Sequence, residues 1–306
     1  MASSNTAMGE TLEPAHVRAA DIRPLTHREF DQIRQLVREK IGLDLRAGKE
    51  ELVSARLTKK IQQWGFRTFQ QYFDQALADR TGEALTEMLD ALTTNHTMFL
   101  RESEHFDFLR RTVAAEFRDR NPLEIWSAAC STGEEPFSIA ICLLEELGFQ
   151  AASRIHILAS DISSRVLETA QRAAYPAERF ENFPKTWLHK YFLRGDKEWK
   201  GWYRVKTEVR SRVEFRQLNL MNPIGNLPHF AVIFCRNVMI YFDKPTQQDL
   251  LQRLVDCLEP GGYLLTGHSE GLLGERQSLE YVQPAVYRKP CCGSSSTKRR
   301  KRGPCD

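Results

Sequence analysis

Leu123-Glu-Ile-Trp-Ser-Ala-Ala-Cys-Ser-Thr-Gly-Glu-Glu-Pro-Phe-Ser-Ile-Ala140 decides how the chain folds. It opens with a short apolar run from Leu123 to Ala129. It turns through the small residues Cys130, Ser131, Thr132 and Gly133. Beyond the turn, Ile139, Ile141, Leu143, Leu144 and Leu147 recur in a helical pattern that Gly148 stops. Strand, glycine turn and helix form the opening unit of a nucleotide-binding α/β sheet, in which small residues let a ligand approach the backbone. The turn holds neither Gly-x-Gly-x-x-Gly nor Gly-Lys-Ser/Thr. Two carboxylates, Glu134 and Glu135, begin the helix instead. They suit the helix dipole but repel a pyrophosphate. The expected ligand is a nucleoside without phosphates that carries positive charge, a description S-adenosylmethionine fits.

Working outward, Arg154 to Ala159 reads as a second strand, and Asp161 follows at its carboxyl end. In dinucleotide folds an acid at this place bonds ribose hydroxyls, and an adenosine ligand can use the same geometry. A lone Asp after a strand is also a common helix cap. Ser163 to Ala173 reads as a helix. From Tyr175 to about residue 212 the alternation of strand and helix breaks into an aromatic-rich stretch with short alternating runs, read as a small inserted antiparallel sheet. The main sheet resumes at Val213 to Asn219, followed by Leu220. Phe230 to Phe234 is the next strand and leads into Cys235-Arg-Asn-Val-Met-Ile-Tyr-Phe-Asp243, a polar cluster where open α/β sheets hold ligands. A helix from Gln247 to Leu258, a strand from Tyr263 to Gly267 and an edge strand from Tyr281 to Arg288 complete the domain. His268, on the same rim, is read as structural.

Toward the amino end, helical periodicity marks Thr26 to Ile41, Lys49 to Trp64, Phe69 to Ala78 and Glu83 to Leu92, an all-helical domain. Arg46, Lys49, Arg56, Lys59, Lys60 and Arg67 make the second helix and its flanks basic. That is either a solvated face or a docking face for an acidic partner. Thr93 to Phe106 is a polar interdomain linker, and His105 to Arg118 the helix after it. Residues 1–23 and the Gly/Ser-rich, then basic, residues 291–306 read as disordered.

The chain has 306 residues, 42% of them hydrophobic, which suffices for two domains with cores. No apolar run reaches the length of a membrane span, and the N-terminal residues carry no apolar signal segment. A net charge of +3 gives no reason to expect nucleic acid. Of the seven cysteines, Cys130, Cys142, Cys235 and Cys257 sit in apolar patterns and read as reduced core thiols of a cytoplasmic protein. Only Cys291-Cys292 are close in sequence, a poor chelating geometry, and no metal is expected.

Five motifs stand in order: Ala91-Leu-Thr-Thr-Asn-His-Thr-Met-Phe-Leu-Arg-Glu102, Trp126-Ser-Ala-Ala-Cys-Ser-Thr-Gly-Glu-Glu-Pro-Phe-Ser-Ile-Ala140, Ala159-Ser-Asp-Ile162, Ile233-Phe-Cys-Arg-Asn-Val-Met-Ile-Tyr-Phe-Asp243 and Gly267-His-Ser-Glu270. Together they resemble the bacterial chemoreceptor glutamate methyltransferases, the CheR family, over residues 24–290. The resemblance implies a Rossmann-like S-adenosylmethionine-dependent methyltransferase domain (107–290) with an inserted antiparallel β-subdomain (about 175–212), a helical N-terminal domain (24–92), and a linker (93–106) that contributes to the cofactor site. It implies transfer of methyl to glutamate carboxylates of methyl-accepting chemotaxis receptors, with S-adenosylhomocysteine as the other product, by a cytoplasmic enzyme recruited to receptor arrays. On its pattern Asn95, Thr97, Arg101, Glu135, Asp161, Asn219, Leu220, Arg236 and Asn237 contact the cofactor, and Arg101 and Tyr241 lie nearest the methyl transfer. Arg46, Arg56, Lys59, Lys60 and Arg67 fall on its receptor-docking face. Some members hold a receptor's C-terminal pentapeptide on the β-subdomain. The loop Arg194 to Gly201 has a fitting length, although Lys197 stands where those members are expected to have a second glycine. The readings kept beside this are another class of S-adenosylmethionine-dependent methyltransferase and a non-catalytic receptor-binding module on the same fold.

Overall fold

The computed structural model describes residues 17–225, 227–271 and 278–291. The expectations for residues 1–16, Cys292 and the basic tail lie outside them. The chain divides into two compact units, one of residues up to Lys40 with Asp44–Thr94, the other of Ile41–Leu43 with Asn95 onward.

The first unit is helical: α1 (His27–Ile41), α2 (Glu50–Gln63), α3 (Phe69–Ala78) and α4 (Glu83–Leu92). Thr26 and Glu29 start α1 as a capping box. The Glu29 carboxylate accepts the Thr26 N–H at 2.9 Å, and the Glu29 N–H donates to Thr26 Oγ1 at 3.3 Å. Val53, Leu57 and Ile61, spaced by four on α2, are fully buried, as periodicity requires. Residues 17–23 depart from the expected disorder. Ala19–Asp21 form a 3-10 turn, and the Arg23 N–H donates to the Arg67 carbonyl, so backbone bonding orders this segment.

The second unit begins with α5 (Ser103–Phe108), which passes through a π-turn (Leu109–Val113) into the short α6 (Ala114–Glu116). Then follow β1 (Leu123–Ala128), α7 (Glu134–Leu147), β2 (Ile155–Asp161), α8 (Ser164–Arg172), β3 (Ala174–Pro176), α9 (Lys185–Tyr191), β4 (Phe192–Arg194), β5 (Trp202–Val205), α10 (Thr207–Arg210), β6 (Val213–Gln217), β7 (Phe230–Cys235), α11 (Lys244–Cys257), β8 (Leu258–Thr266), β9 (Glu280–Gln283) and β10 (Val286–Arg288). The main sheet runs β6-β2-β1-β7-β8-β10-β9. Its first five strands are parallel; β10 pairs antiparallel with β8, and β9 antiparallel with β10. Trp126, Ile157, Ile233 and Leu264 are buried, as expected for a parallel sheet covered on both faces. Strand order reverses between β1 and β7, the place where doubly wound sheets bind ligands.

Three expectations change. α11 starts at Lys244 because Asp243 caps it, accepting the Thr246 N–H at 3.0 Å. The closing segment is a hairpin, with β9 as the edge. Cys257 is half-buried, whereas Cys130, Cys142 and Cys235 are core thiols. The insertion forms a three-stranded antiparallel sheet, β3-β5-β4.

Candidate active site at the carboxyl ends of the strands

The turn after β1 is strained in a defined way. Ala129, Ser131 and Gly133 all have φ between 50° and 94°. A Cβ on Gly133 would lie 2.8 Å from Ala170 Cβ and 3.0 Å from the Tyr175 hydroxyl, so only glycine fits here. Asp161 fixes the turn from β2. Its carboxylate accepts the Ser131 N–H at 2.8 Å and the Ser163 N–H at 3.0 Å. Asp161 is thus an anchor of the glycine turn as well as the acid at the strand end. Ser163, not Asp161, caps α8.

The segment from Asn95 to Glu102 reaches this rim because Phe99 is embedded in the insertion. Its ring centroid lies 4.9–5.5 Å from those of Tyr175, Phe180, Phe183 and Phe192. The aromatic excess of the insertion is therefore a socket for this segment. The Asn95 carbonyl accepts the Ser131 hydroxyl, and buried Thr97 accepts Arg179 through its carbonyl. Arg101 Nη1 donates to the His96 carbonyl at 2.9 Å. Arg179 also reaches fully buried Glu134 at 3.3 Å, and burial raises the Glu134 carboxyl above its ordinary pKa.

Beyond β7, Arg236 is the hub. Its side chain is 2% exposed. Nη1 donates to Glu135 at 2.9 Å; Nη2 donates to Glu102 at 3.1 Å and to the Arg101 carbonyl. Glu135 also accepts the Ser127 hydroxyl at 2.7 Å. Asn237, held at φ 57°, donates its side-chain N–H to Glu102 at 3.1 Å. Burial raises the Glu102 carboxyl, but the Arg236 charge and the Asn237 bond outweigh it and leave the pKa below its ordinary value. Tyr241 ends a 3-10 turn, Met239–Tyr241, and is half-buried. Leu220 is buried, and Asn219 Oδ1 accepts the Met221 N–H.

Two hydrogen-bonded groups therefore lie at the strand ends: Asn95 and Asp161 meet through Ser131, and Arg101, Glu135 and Asn237 meet through Arg236 and Glu102. Sequence reasoning missed Glu102, Arg179 and Glu270. Glu102 stands next to Arg101 in a motif already singled out, and its left-handed φ of 57° shows only in three dimensions. His105, fully buried, is pushed down to about 4 by burial and the nearby Arg236 charge, so it is neutral at neutral pH. Glu102, His105 and His268 could supply three ligand atoms to a metal. However, Glu102 already accepts Arg236, whose charge opposes a second cation there.

The rim fits S-adenosylmethionine by the chemistry of its donors: carboxylates at Glu102, Glu135 and Asp161, a turn only small residues can form, and neither phosphate-binding motif. Among the described residues no helix is long and apolar enough to cross a membrane.

The basic residues of the first unit do not form one free face. Arg56 Nη1 donates to the carbonyls of Leu92 (2.6 Å) and Thr93, and Nη2 to Thr94 Oγ1, capping the end of α4. Lys60 pairs with Glu87 at 3.3 Å and Arg46 with Asp44 at 3.6 Å. Lys59 and Arg67 are exposed.

Two family models match the chain. "CheR methyltransferase, all-alpha domain" covers residues 28–93, and "CheR methyltransferase, SAM binding domain" covers residues 95–287. The chain is 41% identical over 263 residues to chemotaxis protein methyltransferase 2 of Pseudomonas aeruginosa, covering 86% of this chain and 93% of that protein. It is 43% identical to the chemotaxis protein methyltransferase of Klebsiella aerogenes over 81% of this chain and 84% of that one. With the Escherichia coli protein of the same description the identity is 39%, over 80% and 85%.

Proposed function

This chain belongs to the CheR methyltransferase family, and from that premise we propose that it methylates glutamate side chains on methyl-accepting chemotaxis receptors, giving glutamate methyl esters. The observation that carries the reading is the convergence of Arg101, Glu135, Asp161, Arg236 and Asn237 on one rim of a domain whose family binds S-adenosylmethionine.

When bound, S-adenosylmethionine supplies a methyl group on a sulfonium, made electrophilic by the positive charge. The receptor glutamate is already ionised at neutral pH, so its carboxylate oxygen is the nucleophile and no general base is required. Catalysis then rests on alignment of oxygen, methyl carbon and sulfur, and on exclusion of water, since an anion and a cation become two neutral groups. In this reading Asp161 and Glu135 hold the ribose and the cationic end of the cofactor. Arg101 orients a carboxylate. The Tyr241 hydroxyl donates to one carboxylate oxygen and leaves the other to attack. Arg236, already bonded to Glu102 and Glu135, places those acids and does not itself face the substrate.

The experiment is transfer from methyl-labelled S-adenosylmethionine to a purified receptor cytoplasmic fragment, followed by mild alkali. Volatile labelled methanol is expected, because a carboxyl methyl ester hydrolyses to it. Label that stays on the protein through alkali would mean nitrogen methylation and would sink the reading.

The β-subdomain supports a second contact with the receptor. A groove of about 910 Å³ is lined by Leu193, Trp199 and Trp202 beside Arg172, Arg194 and Arg204. Trp199 is 60% exposed and packs edge-to-face on Trp202. β4 is an edge of the small sheet and can accept an extended peptide. Lys197 takes φ 45°, the left-handed region that favours glycine, so the turn keeps the shape a glycine would give it. The occupant proposed is the C-terminal pentapeptide of a receptor, acidic to match the arginines. Trp199→Ala is expected to weaken binding of that peptide about tenfold or more. Methylation of a receptor fragment lacking the peptide stays unchanged. Unaltered peptide affinity would remove the tether. Lys59 and Arg67, exposed in the first unit, remain as the docking charges proposed for the receptor helices, with recruitment to receptor arrays as the consequence.

A further inference from the structure

We propose that Glu270 is a positioning residue for methyl transfer: it holds the turn after β7 in the shape that presents Asn237 and Tyr241. The proposal rests on the reading above of those two as site residues.

Glu270 is 7% exposed. Its Oε2 accepts the N–H of Asn237 at 2.7 Å and of Gly267 at 2.6 Å, and its Oε1 accepts the N–H of Ile240 at 3.2 Å. These amides come from the loops after β7 and β8. Among the described residues no cationic side chain pairs with it, and backbone N–H groups face the charge, as in an anion nest. Burial raises its pKa, and the amide bonds only partly offset that. Burying a carboxylate is costly, and its amide contacts tie the loop that bears Asn237 and Tyr241 to the loop after β8.

The constraint falls on a strained turn. Asn237 has φ 57°, and its side chain bonds Glu102. Ile240 lies within the 3-10 turn that ends at Tyr241. Gly267 completes the fit: a Cβ there would stand 2.6 Å from Asn237 Nδ2 and 2.7 Å from Glu270 Oε2. Without the clamp, the amides of Asn237 and Ile240 lose their acceptor, and the turn has no reason to keep a left-handed asparagine.

The test uses full-length Glu270→Gln, Tyr241→Phe and the double variant, with labelled methyl transfer to the receptor fragment and thermal unfolding. Glu270→Gln retains the shape but turns an N–H toward backbone N–H groups. Its kcat is expected to fall about 10- to 100-fold, the scale of a 1 Å misplacement, with receptor KM unchanged. The double variant is expected to lose less than the product of the two single losses, because part of the Glu270 effect acts through the Tyr241 hydroxyl and the rest through Asn237. A full-rate Glu270→Gln, or losses that multiply in the double variant, would overturn the proposal. Full activity of Tyr241→Phe would instead overturn the site reading of Tyr241, an outcome separable from the first. Should Glu270→Gln not fold, hydrogen exchange on the wild-type protein decides: the amides of Asn237, Ile240 and Gly267 are expected to be protected, and exchange at open-loop rates would rule the clamp out.

Discussion

Arg236→Ala is expected to cost about 3–5 kcal/mol of folding stability, the scale measured when one partner of a buried ion pair is removed. The guanidinium is 2% exposed and is shared between Glu135, Glu102 and the Arg101 carbonyl. Its loss leaves two carboxylates, 12% and 16% exposed, facing each other's charge without a cation. Because both keep some water, the lower end of the range applies. Methyl transfer falls with stability, since the same bonds fix the segment carrying Arg101 and the turn carrying Asn237. Arg236→Lys does not rescue, because one ammonium cannot span acceptors that a planar fork reaches from two nitrogens. Urea unfolding of both variants measures the effect. A change under about 1 kcal/mol would mean that the network does not need its cation. Adding Glu102→Gln to Arg236→Ala is expected to restore part of the loss, since it removes the charge left unpaired.

Asp161→Ala is expected to weaken S-adenosylmethionine binding about 100-fold, or about 2.7 kcal/mol. Two effects combine. The carboxylate proposed to bond the ribose is gone, and the amides of Ser131 and Ser163 lose their acceptor. Ser131 sits at φ 50° within a turn in which Ala129 and Gly133 also have positive φ. The turn then relaxes away from the shape that admits a ligand. Asp161→Asn separates the two effects in part: it keeps an acceptor for one amide but puts an N–H donor in the other place. Titration calorimetry with S-adenosylhomocysteine reads both variants. Unchanged affinity for Asp161→Ala would overturn both effects: the acid would neither touch the cofactor nor be needed for the shape of the turn that admits it.

The strand, glycine turn and helix at residues 123–147 were legible because three local signals agree there. An apolar run, small residues and a helical period each depend only on neighbours in sequence. The parallel order of the sheet follows from such units repeated, and the break in their rhythm marked the inserted β-subdomain. The helices of the first unit were legible for the same reason: spacings of three and four write one buried face directly into the chain. Residues 17–23 were misread because polar composition says nothing of the Arg23–Arg67 backbone bond. The basic face of α2 was overread because sequence spacing placed Arg56 on it, while the α4 carbonyls that take up its charge lie 36 and 37 residues away.

The motifs by themselves pointed to the family and the cofactor, and they contain Arg101, Glu135, Asp161, Arg236 and Asn237. Only the tertiary structure decided what those residues do for one another. Phe99 looked like one apolar residue in a polar linker, and it is the ring that seats the linker in the insertion. Arg236 looked like a ligand contact, and it is the cation on which Glu102 and Glu135 converge. Glu270 looked like the end of a strand motif, and it closes over three backbone amides. Residue types and short-range spacing fix which groups are available. Hydrogen-bond partners 30 to 135 residues apart depend on how the strands are ordered, and no local pattern encodes that.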